Sequence, residues 1–181
     1  MKGISDRKVL VWTIAGTIFI IFFGSFLHFA FELSGKLRPL ALIAAVNEST
    51  WEHLKLAFWP ALIFSALEFK FLKKSVKNFA IAKTASFWIM PLAIIFIFYS
   101  YRAVLGEDLF VMDILTFIIA VIMGQIVSYR LLTRESLPKR WSRCAIVFFI
   151  IILLAFSILT FFPPHFFLFQ DPISGGYGII D

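Results

Sequence analysis

The chain has 181 residues, of which 61% are hydrophobic and only 15% are charged, and it contains 24 phenylalanines. This composition lies far outside the range of soluble globular domains, so it excludes a water-soluble enzyme. The net charge of +6 comes from basic residues that flank the apolar segments, which indicates helix orientation rather than nucleic-acid binding. The sequence therefore predicts an integral membrane protein.

Five apolar runs are each long enough to cross a hydrocarbon core about 30 Å thick, at about 1.5 Å per residue. They extend over residues 9–31, 51–72, 79–101, 111–131 and 144–162. We therefore predict an all-α membrane protein with five transmembrane helices in a single domain, residues 1–181. The first run follows basic residues, as in a signal peptide, but it is too long and lacks a small-residue cleavage site, which favours a permanent span.

Two further apolar segments are too short to cross a membrane. Residues 39–46 begin with Pro39, which is favoured in the first turn of a helix, so we predict a re-entrant or interfacial half-helix between the first two spans. Residues 163–181 begin with two prolines that end the last helix and continue into an aromatic run. This segment is predicted to be a C-terminal tail in the membrane interface.

Most of the 17 Lys and Arg residues fall in connections on one side of the predicted spans. The positive-inside rule then predicts a cytoplasmic N-terminus and an extracytoplasmic C-terminus in the cell membrane. With this orientation all three histidines and most carboxylates lie at the outer face. Titratable groups are costly at bilayer depth, so this clustering is a hypothesis of function.

The three histidines and one glutamate are candidate metal ligands. His28 and Glu32 are four residues apart and share one face of the first helix. His53 lies about one turn into the second helix, and His165 follows the two prolines. Imidazole nitrogen and carboxylate oxygen are ligands of Zn²⁺ and other divalent ions, so His28, Glu32, His53 and His165 are predicted to bind such a metal. A local hydrogen bond between His28 and Glu32 is the alternative.

Several polar residues near these histidines are candidates for other roles in the site. The predicted catalytic acids and bases are Glu48, Glu52 and Asp113, and the further polar site residues are Asn47 and Asp171. Ser49 and Glu52 also have the spacing of a capping box, in which each side chain binds a free backbone N–H of the other residue. Asp113 is also placed where a helix N-terminus favours a negative charge, so both alternatives stay open.

Metal-activated water beside a carboxylate base would give a membrane-embedded hydrolase that acts on a lipid or lipid-linked substrate. The sequence contains no H-x-x-x-H or H-E-x-x-H motif. One alternative is a small transporter or channel subunit that binds a cation or solute at the outer face, either as a homo-oligomer or through a polar pathway. The polar residues available for that pathway are Thr17, Glu68, Gln125 and Ser128. A non-catalytic membrane scaffold is the other alternative.

Two motifs carry a resemblance to known proteins. The block N-E-S-T-W-E-H at residues 47–53 and the pattern P-P-H-x(5)-D-P-x(4)-Y-G from Pro163 resemble a family of small uncharacterised prokaryotic integral membrane proteins. The resemblance covers most of the chain and implies a prokaryotic plasma membrane and roles for both segments. The chain is more distantly similar to membrane hydrolases of the alkaline ceramidase and adiponectin-receptor type, which implies zinc held by three histidines beside an aspartate. It has fewer helices than those enzymes and lacks their paired histidines.

Overall fold

The computed structural model describes residues 2–180, and five long helices dominate this range. They are α1 (Lys2–Leu33), α2 (Thr50–Leu72), α3 (Phe79–Leu105), α4 (Phe110–Leu132) and α5 (Lys139–Ile158). Short 3₁₀ helices follow α1 and α5, at Arg38–Leu42 and Phe167–Phe169. Within residues 2–180, β-pairing is limited to an isolated antiparallel bridge between Gln170 and Tyr177. Asp181, the last residue of the predicted tail, lies outside the described range.

Four helices are long and apolar enough to cross a membrane, namely Asp6–Leu33 within α1 and the whole of α3, α4 and α5. The chain is therefore a multi-pass helical membrane protein. Helix α2 has the same length as α4, 23 residues, but it carries four charged side chains and is largely buried. The fifth span and the orientation of the termini stay predictions.

The helices alternate in direction, so the bundle has two chemically different ends. His28 near the end of α1 contacts His53 at the start of α2, and Tyr101 near the end of α3 contacts Asp113 at the start of α4. We call this the site end. At the other end, which we call the basic end, α2 ends beside the start of α3 and α5 begins with Lys139 and Arg140.

Prolines and one glycine account for most differences from the predicted helix limits. Helix α5 begins at Lys139, directly after Pro138, and already ends at Ile158 rather than at residue 162. Pro163 explains the early end, because its ring excludes the helical hydrogen bond and clashes with the preceding turn. Helix α3 continues past residue 101 to Leu105 and closes on Gly106, whose φ of 79° is the left-handed conformation that favours glycine.

The predicted half-helix over residues 39–46 is shorter than expected. Only Arg38–Leu42 is helical, as a 3₁₀ segment with proline in its first turn, and the rest is loop. Ala41 and Ala44 are fully buried, so the segment packs into the protein. Whether it enters the membrane stays a prediction.

Glycines allow two pairs of helices to approach closely. A Cβ at Gly24 of α1 would lie 2.4 Å from the carbonyl oxygen of Leu56 on α2, and one at Gly124 of α4 would lie 2.3 Å from the Met90 side chain on α3. Neither position can accept a larger residue without a shift of its neighbour. Thr116 and Ala120 are buried on the same face of α4 as Gly124, so this face points into the bundle.

An ion pair joins α2 to α3 near the basic end. Oε2 of Glu68 lies 2.5 Å from Nζ of Lys83, and both side chains are buried. The lysines nearest to Glu68 along the chain, Lys70, Lys73 and Lys74, are exposed, whereas Glu68 faces the interior. The pair therefore fixes the α2–α3 corner from inside the bundle.

Replacing Lys83 with Met should leave the Glu68 carboxylate buried without its counter-charge. We expect Lys83→Met to lower the free energy of unfolding by about 3–5 kcal/mol, because a buried charge without a partner is costly. The double variant Glu68→Leu/Lys83→Met should recover most of this loss, and Lys70→Met, at an exposed lysine, should change little. Thermal unfolding of the four proteins in detergent measures the difference. Equal stability of the two Lys83 variants would contradict the prediction.

Candidate functional site

A cluster of two imidazoles and one carboxylate lies at the site end, where the chain passes from α1 to α2. Nε2 of His28 lies 3.0 Å from Nε2 of His53. Oε2 of Glu48 lies 3.6 Å from Nε2 of His28 and 3.4 Å from Nε2 of His53. We call these three side chains the His–Glu cluster; each offers one atom that could bind a metal ion.

The three separations within the His–Glu cluster resemble the edges of a tetrahedral coordination shell. Ligand atoms about 2.0–2.1 Å from a tetrahedral zinc ion are about 3.3–3.4 Å apart. The observed values of 3.0, 3.4 and 3.6 Å scatter around that separation. Two nitrogens and a carboxylate oxygen also form a donor set that zinc accepts, and three protein ligands leave the fourth position for water. The residues therefore fit such an ion.

The hydrogen bonds of the histidines orient their rings. Nδ1 of His53 lies 2.9 Å from the carbonyl oxygen of Ser49. A carbonyl oxygen can only accept, so Nδ1 donates, and Nε2 of the neutral ring presents its lone pair to the cluster. Metal-bound histidines have this arrangement. Nδ1 of His28 is buried and has no hydrogen-bond partner among residues 2–180, but its ring packs on Phe29 with centroids 4.8 Å apart.

The His–Glu cluster is accessible and carries a stable negative charge. The side chains of His28 and His53 are 28% and 32% exposed, and that of Glu48 is 45% exposed. The neighbouring side chains of His28 and His53 hold the pKa of the Glu48 carboxyl well below its usual range. Glu48 is therefore a carboxylate at neutral pH, as a metal ligand must be.

The C-terminal tail positions the loop that carries Glu48. The backbone N–H of Glu48 donates to Oδ1 of Asp171 at 3.2 Å. Asn47 donates through Nδ2 to the carbonyl oxygen of Gly178 at 2.7 Å and accepts through Oδ1 from the Ser49 N–H at 2.8 Å. Asn47 and Asp171, both expected as polar site residues, thus lie beside the cluster and hold its loop.

A fully buried network lies next to this loop. Nζ of Lys55 lies 2.6 Å from Oε2 of Glu52 and donates to the carbonyl oxygen of Ala41 at 2.8 Å and to Oγ1 of Thr160 at 2.9 Å. Thr160 donates to Oε1 of Glu52 at 3.0 Å, and the Val46 N–H donates to Oε2 of Glu52 at 3.1 Å. We call Glu52, Lys55 and Thr160 the anchor network, because they join α2 to the 3₁₀ segment, the loop and the end of α5.

Glu52, expected as a catalytic carboxylate, belongs to this anchor network and is only 2% exposed. Half of the expected capping box is present, because Oγ of Ser49 accepts from the Glu52 N–H at 3.4 Å. The reciprocal bond is replaced, since the Ser49 N–H donates to Asn47 instead. Lys55, the partner of Glu52 in the anchor network, is also fully buried. Its position three residues after Glu52 was the available signal for an ion pair.

The remaining predicted residues lie elsewhere at the site end. Glu32 is exposed at the end of α1, and the His165 ring stacks on Tyr177 with centroids 4.5 Å apart. Neither belongs to the group of possible metal ligands found among residues 2–180. Asp113 accepts a hydrogen bond from Tyr101 of α3, and its charge acts electrostatically on His53. Tyr101 was not anticipated, because nothing in the sequence shows which helix faces Asp113.

The chain belongs to a family of unknown function, DUF6512, whose model matches residues 1–179. This match confirms the expectation of an uncharacterised family that spans most of the chain. No curated protein and no solved structure matches the chain. The similarity to ceramidase-type hydrolases stays an expectation, and the chemistry must be argued from the site itself.

Replacing Asp171 with Ala should release the tail from the Glu48 loop. We expect faster amide hydrogen exchange in residues 163–180 and at Glu48, because the carboxylate accepts from Ser174 and Glu48. Asp108→Ala, at an exposed aspartate of the α3–α4 loop, is the matched control. Exchange measured by mass spectrometry tests the prediction, and equal tail protection in both variants would contradict it.

The tail contact should also survive mild acid. Burial opposes ionisation of Asp171, but hydrogen bonds from Ser174 and from the Ile173 and Glu48 backbone prevail and hold its pKa below the usual value. A lowered pKa stabilises the folded state above the unfolded pKa of about 3.9, and the stabilisation is lost as the pH falls through the lower, folded value. Tail protection in the wild type should therefore persist from neutral pH to about pH 4. Loss of protection near pH 6 would contradict this assignment.

Proposed function

We propose that this member of the DUF6512 family is a metal-dependent hydrolase of the membrane, with a zinc-type divalent ion held by His28, Glu48 and His53. The observation that carries the proposal is the near-tetrahedral spacing of their three ligand atoms. These atoms come from the end of α1, the following loop and the first turn of α2, so the spacing does not follow from a local helical repeat.

Hydrogen bonding within the cluster supports this proposal. The Glu48 carboxylate only accepts, and Nε2 of His53 accepts because Nδ1 carries the proton. Nε2 of His28 can donate one hydrogen, so it satisfies only one of the three contacts when both rings are neutral. A cation among the three atoms interacts favourably with all three lone pairs. Only one of the three close contacts can then be a hydrogen bond, so a bound cation explains the close approach of the three atoms better than hydrogen bonds alone.

The position of the cluster favours hydrolysis of an ester or amide group of a lipid-like substrate. A zinc ion held by His28, Glu48 and His53 would supply a water molecule of lowered pKa and would polarise a carbonyl group. Hydrolysis would add the water oxygen to the carbonyl carbon, break the bond to the leaving oxygen or nitrogen and transfer the water proton to the leaving group. Asp113, which acts electrostatically on His53 and is oriented by Tyr101, is the carboxylate we assign to this proton transfer.

A cation or solute pathway is the second candidate. It is favoured by three polar atoms that are buried without a partner among residues 2–180, namely Oγ of Ser86, Oε1 of Gln125 and Oγ of Ser128. Met90, Ile94 and Ala120 are buried between these atoms and the site end. A pathway would therefore need these apolar contacts to open. Solute-stimulated flux in liposomes without lipid hydrolysis would favour this candidate.

Purified protein should bind one zinc ion per chain. After chelation and removal of the chelator, titration with Zn²⁺ followed by elemental analysis measures the stoichiometry and affinity. We expect His28→Ala, Glu48→Gln and His53→Ala each to weaken binding by about 100-fold or more, because changes even outside the ligand set cost about 10–100-fold. His165→Ala is the control, since this histidine stacks on Tyr177. Equal loss in His165→Ala, or no stoichiometric binding, would refute the metal site.

Hydrolysis should depend on the metal and on Asp113. We expect zinc-loaded protein to release product from a panel of ester- and amide-linked lipids, chelation to stop release and added zinc to restore it. Asp113→Asn should lower the rate by about 100-fold or more with unchanged zinc content, as expected for loss of a general acid–base group. Asp108→Asn is the control. Stoichiometric zinc without hydrolysis of any lipid in the panel would refute the hydrolase and leave the metal site standing.

A further inference from the structure

A groove lies between α2 and α5 at the basic end. Both helices pack on α3, which forms its floor. Near the site end the two walls are in contact. The ring centroids of Trp51 and Phe58 on α2 lie 4.8 and 4.9 Å from the ring centroid of Phe156 on α5. Further along, the two helices enclose a cavity of about 260 Å³. This groove is remote from the His–Glu cluster and is independent of the proposed hydrolase.

The groove is apolar and open on one side. Leu62 and Phe69 of α2, Phe87 of α3 and Phe149 of α5 line it, and Ala66 on its rim is exposed. Since α3 and α5 are apolar enough to cross the membrane, this opening lies at the depth of the lipid chains. A hydrocarbon chain is the apolar molecule that a bilayer supplies at that depth.

On both walls, a basic residue lies within one helical turn of a residue that lines the groove, on the side of the basic end. Lys73 lies one turn beyond Phe69 on α2, with Nζ 5.7 Å from the centre of the Phe69 ring. Arg143 lies one turn before Ile146 on α5. Both side chains are exposed, whereas Lys83 on the floor is already neutralised by Glu68. The free positive charge is therefore on the side of the basic end, where a lipid phosphate would lie.

We infer that this groove binds one anionic phospholipid. Its acyl chain lies between α2 and α5 over the floor of α3, and its phosphate lies between Lys73 and Arg143. Apolar walls alone would accept any lipid, but a positively charged side chain on each wall favours a negatively charged headgroup. The bound lipid also fills the space that the two helices leave open.

Native mass spectrometry of delipidated protein tests this inference with phosphatidylglycerol and phosphatidylcholine of identical acyl chains. We expect retained phosphatidylglycerol and weaker binding of phosphatidylcholine. Lys73→Gln/Arg143→Gln should weaken phosphatidylglycerol binding about 25-fold, at about fivefold for each basic side chain near a lipid surface, and leave phosphatidylcholine binding unchanged. Arg38→Gln/Arg102→Gln removes two exposed charges at the site end and should have no effect.

Filling the groove tests the position of the acyl chain. Ala66→Trp should reduce the binding of both lipids at least tenfold, whereas Ala103→Trp, at an exposed alanine near the end of α3, should not. Equal binding of the two lipids, equal loss in the two double charge variants, or full binding by a folded Ala66→Trp protein would each overturn the inference. The charge variants change only exposed side chains, so they decide the question even if Ala66→Trp does not fold.

Discussion

Two buried ion pairs on one helix require the faces that carry them to be covered by the rest of the protein. Helix α2 carries Glu52 paired with Lys55 near its start and Glu68 paired with Lys83 of α3 near its end. Charged groups are tolerated in an apolar environment only when they are paired and hydrogen-bonded, so these faces of α2 cannot contact lipid. Other parts of the chain therefore cover these faces of α2, although Ile63 and Leu67 remain exposed elsewhere on the helix. The charges also explain why α2 is the one long helix within residues 2–180 that is not apolar enough to be recognised as a span.

The buried charges near the start of α2 also hold the segments that carry the site. The anchor network fixes the 3₁₀ segment through Ala41 and the loop through Val46, and it holds the end of α5 through Thr160. The tail that follows α5 then returns over the loop and binds the Glu48 backbone through Asp171. A metal site needs ligands held within a fraction of an ångström, and rigid support outside the ligand set provides this precision. The buried charges thus position the accessible ones.

The two ends of the bundle offer different chemistry to their surroundings. At the site end, the Glu48 carboxylate and the imidazoles of His28 and His53 are partly exposed. At the basic end, exposed Lys73 and Arg143 border an apolar groove that suits a lipid chain. A lipid bound in the groove would stabilise the protein in its bilayer. Because the groove is at the basic end, this lipid would not cover the site end.

The sequence determined the class of protein and the approximate helix limits, because hydrophobic run length and charge distribution act along the chain. It predicted that the histidines and most carboxylates lie at one end of the bundle, but it did not determine which of these polar groups meet, because those contacts depend on helix rotation and on loops. His165 and Glu32 were expected beside His28 but lie outside the cluster, and Glu52 was expected as a catalytic carboxylate but is buried against Lys55. Only tertiary packing, which must pair every buried charge, decided which titratable groups became structural and which remained available for chemistry.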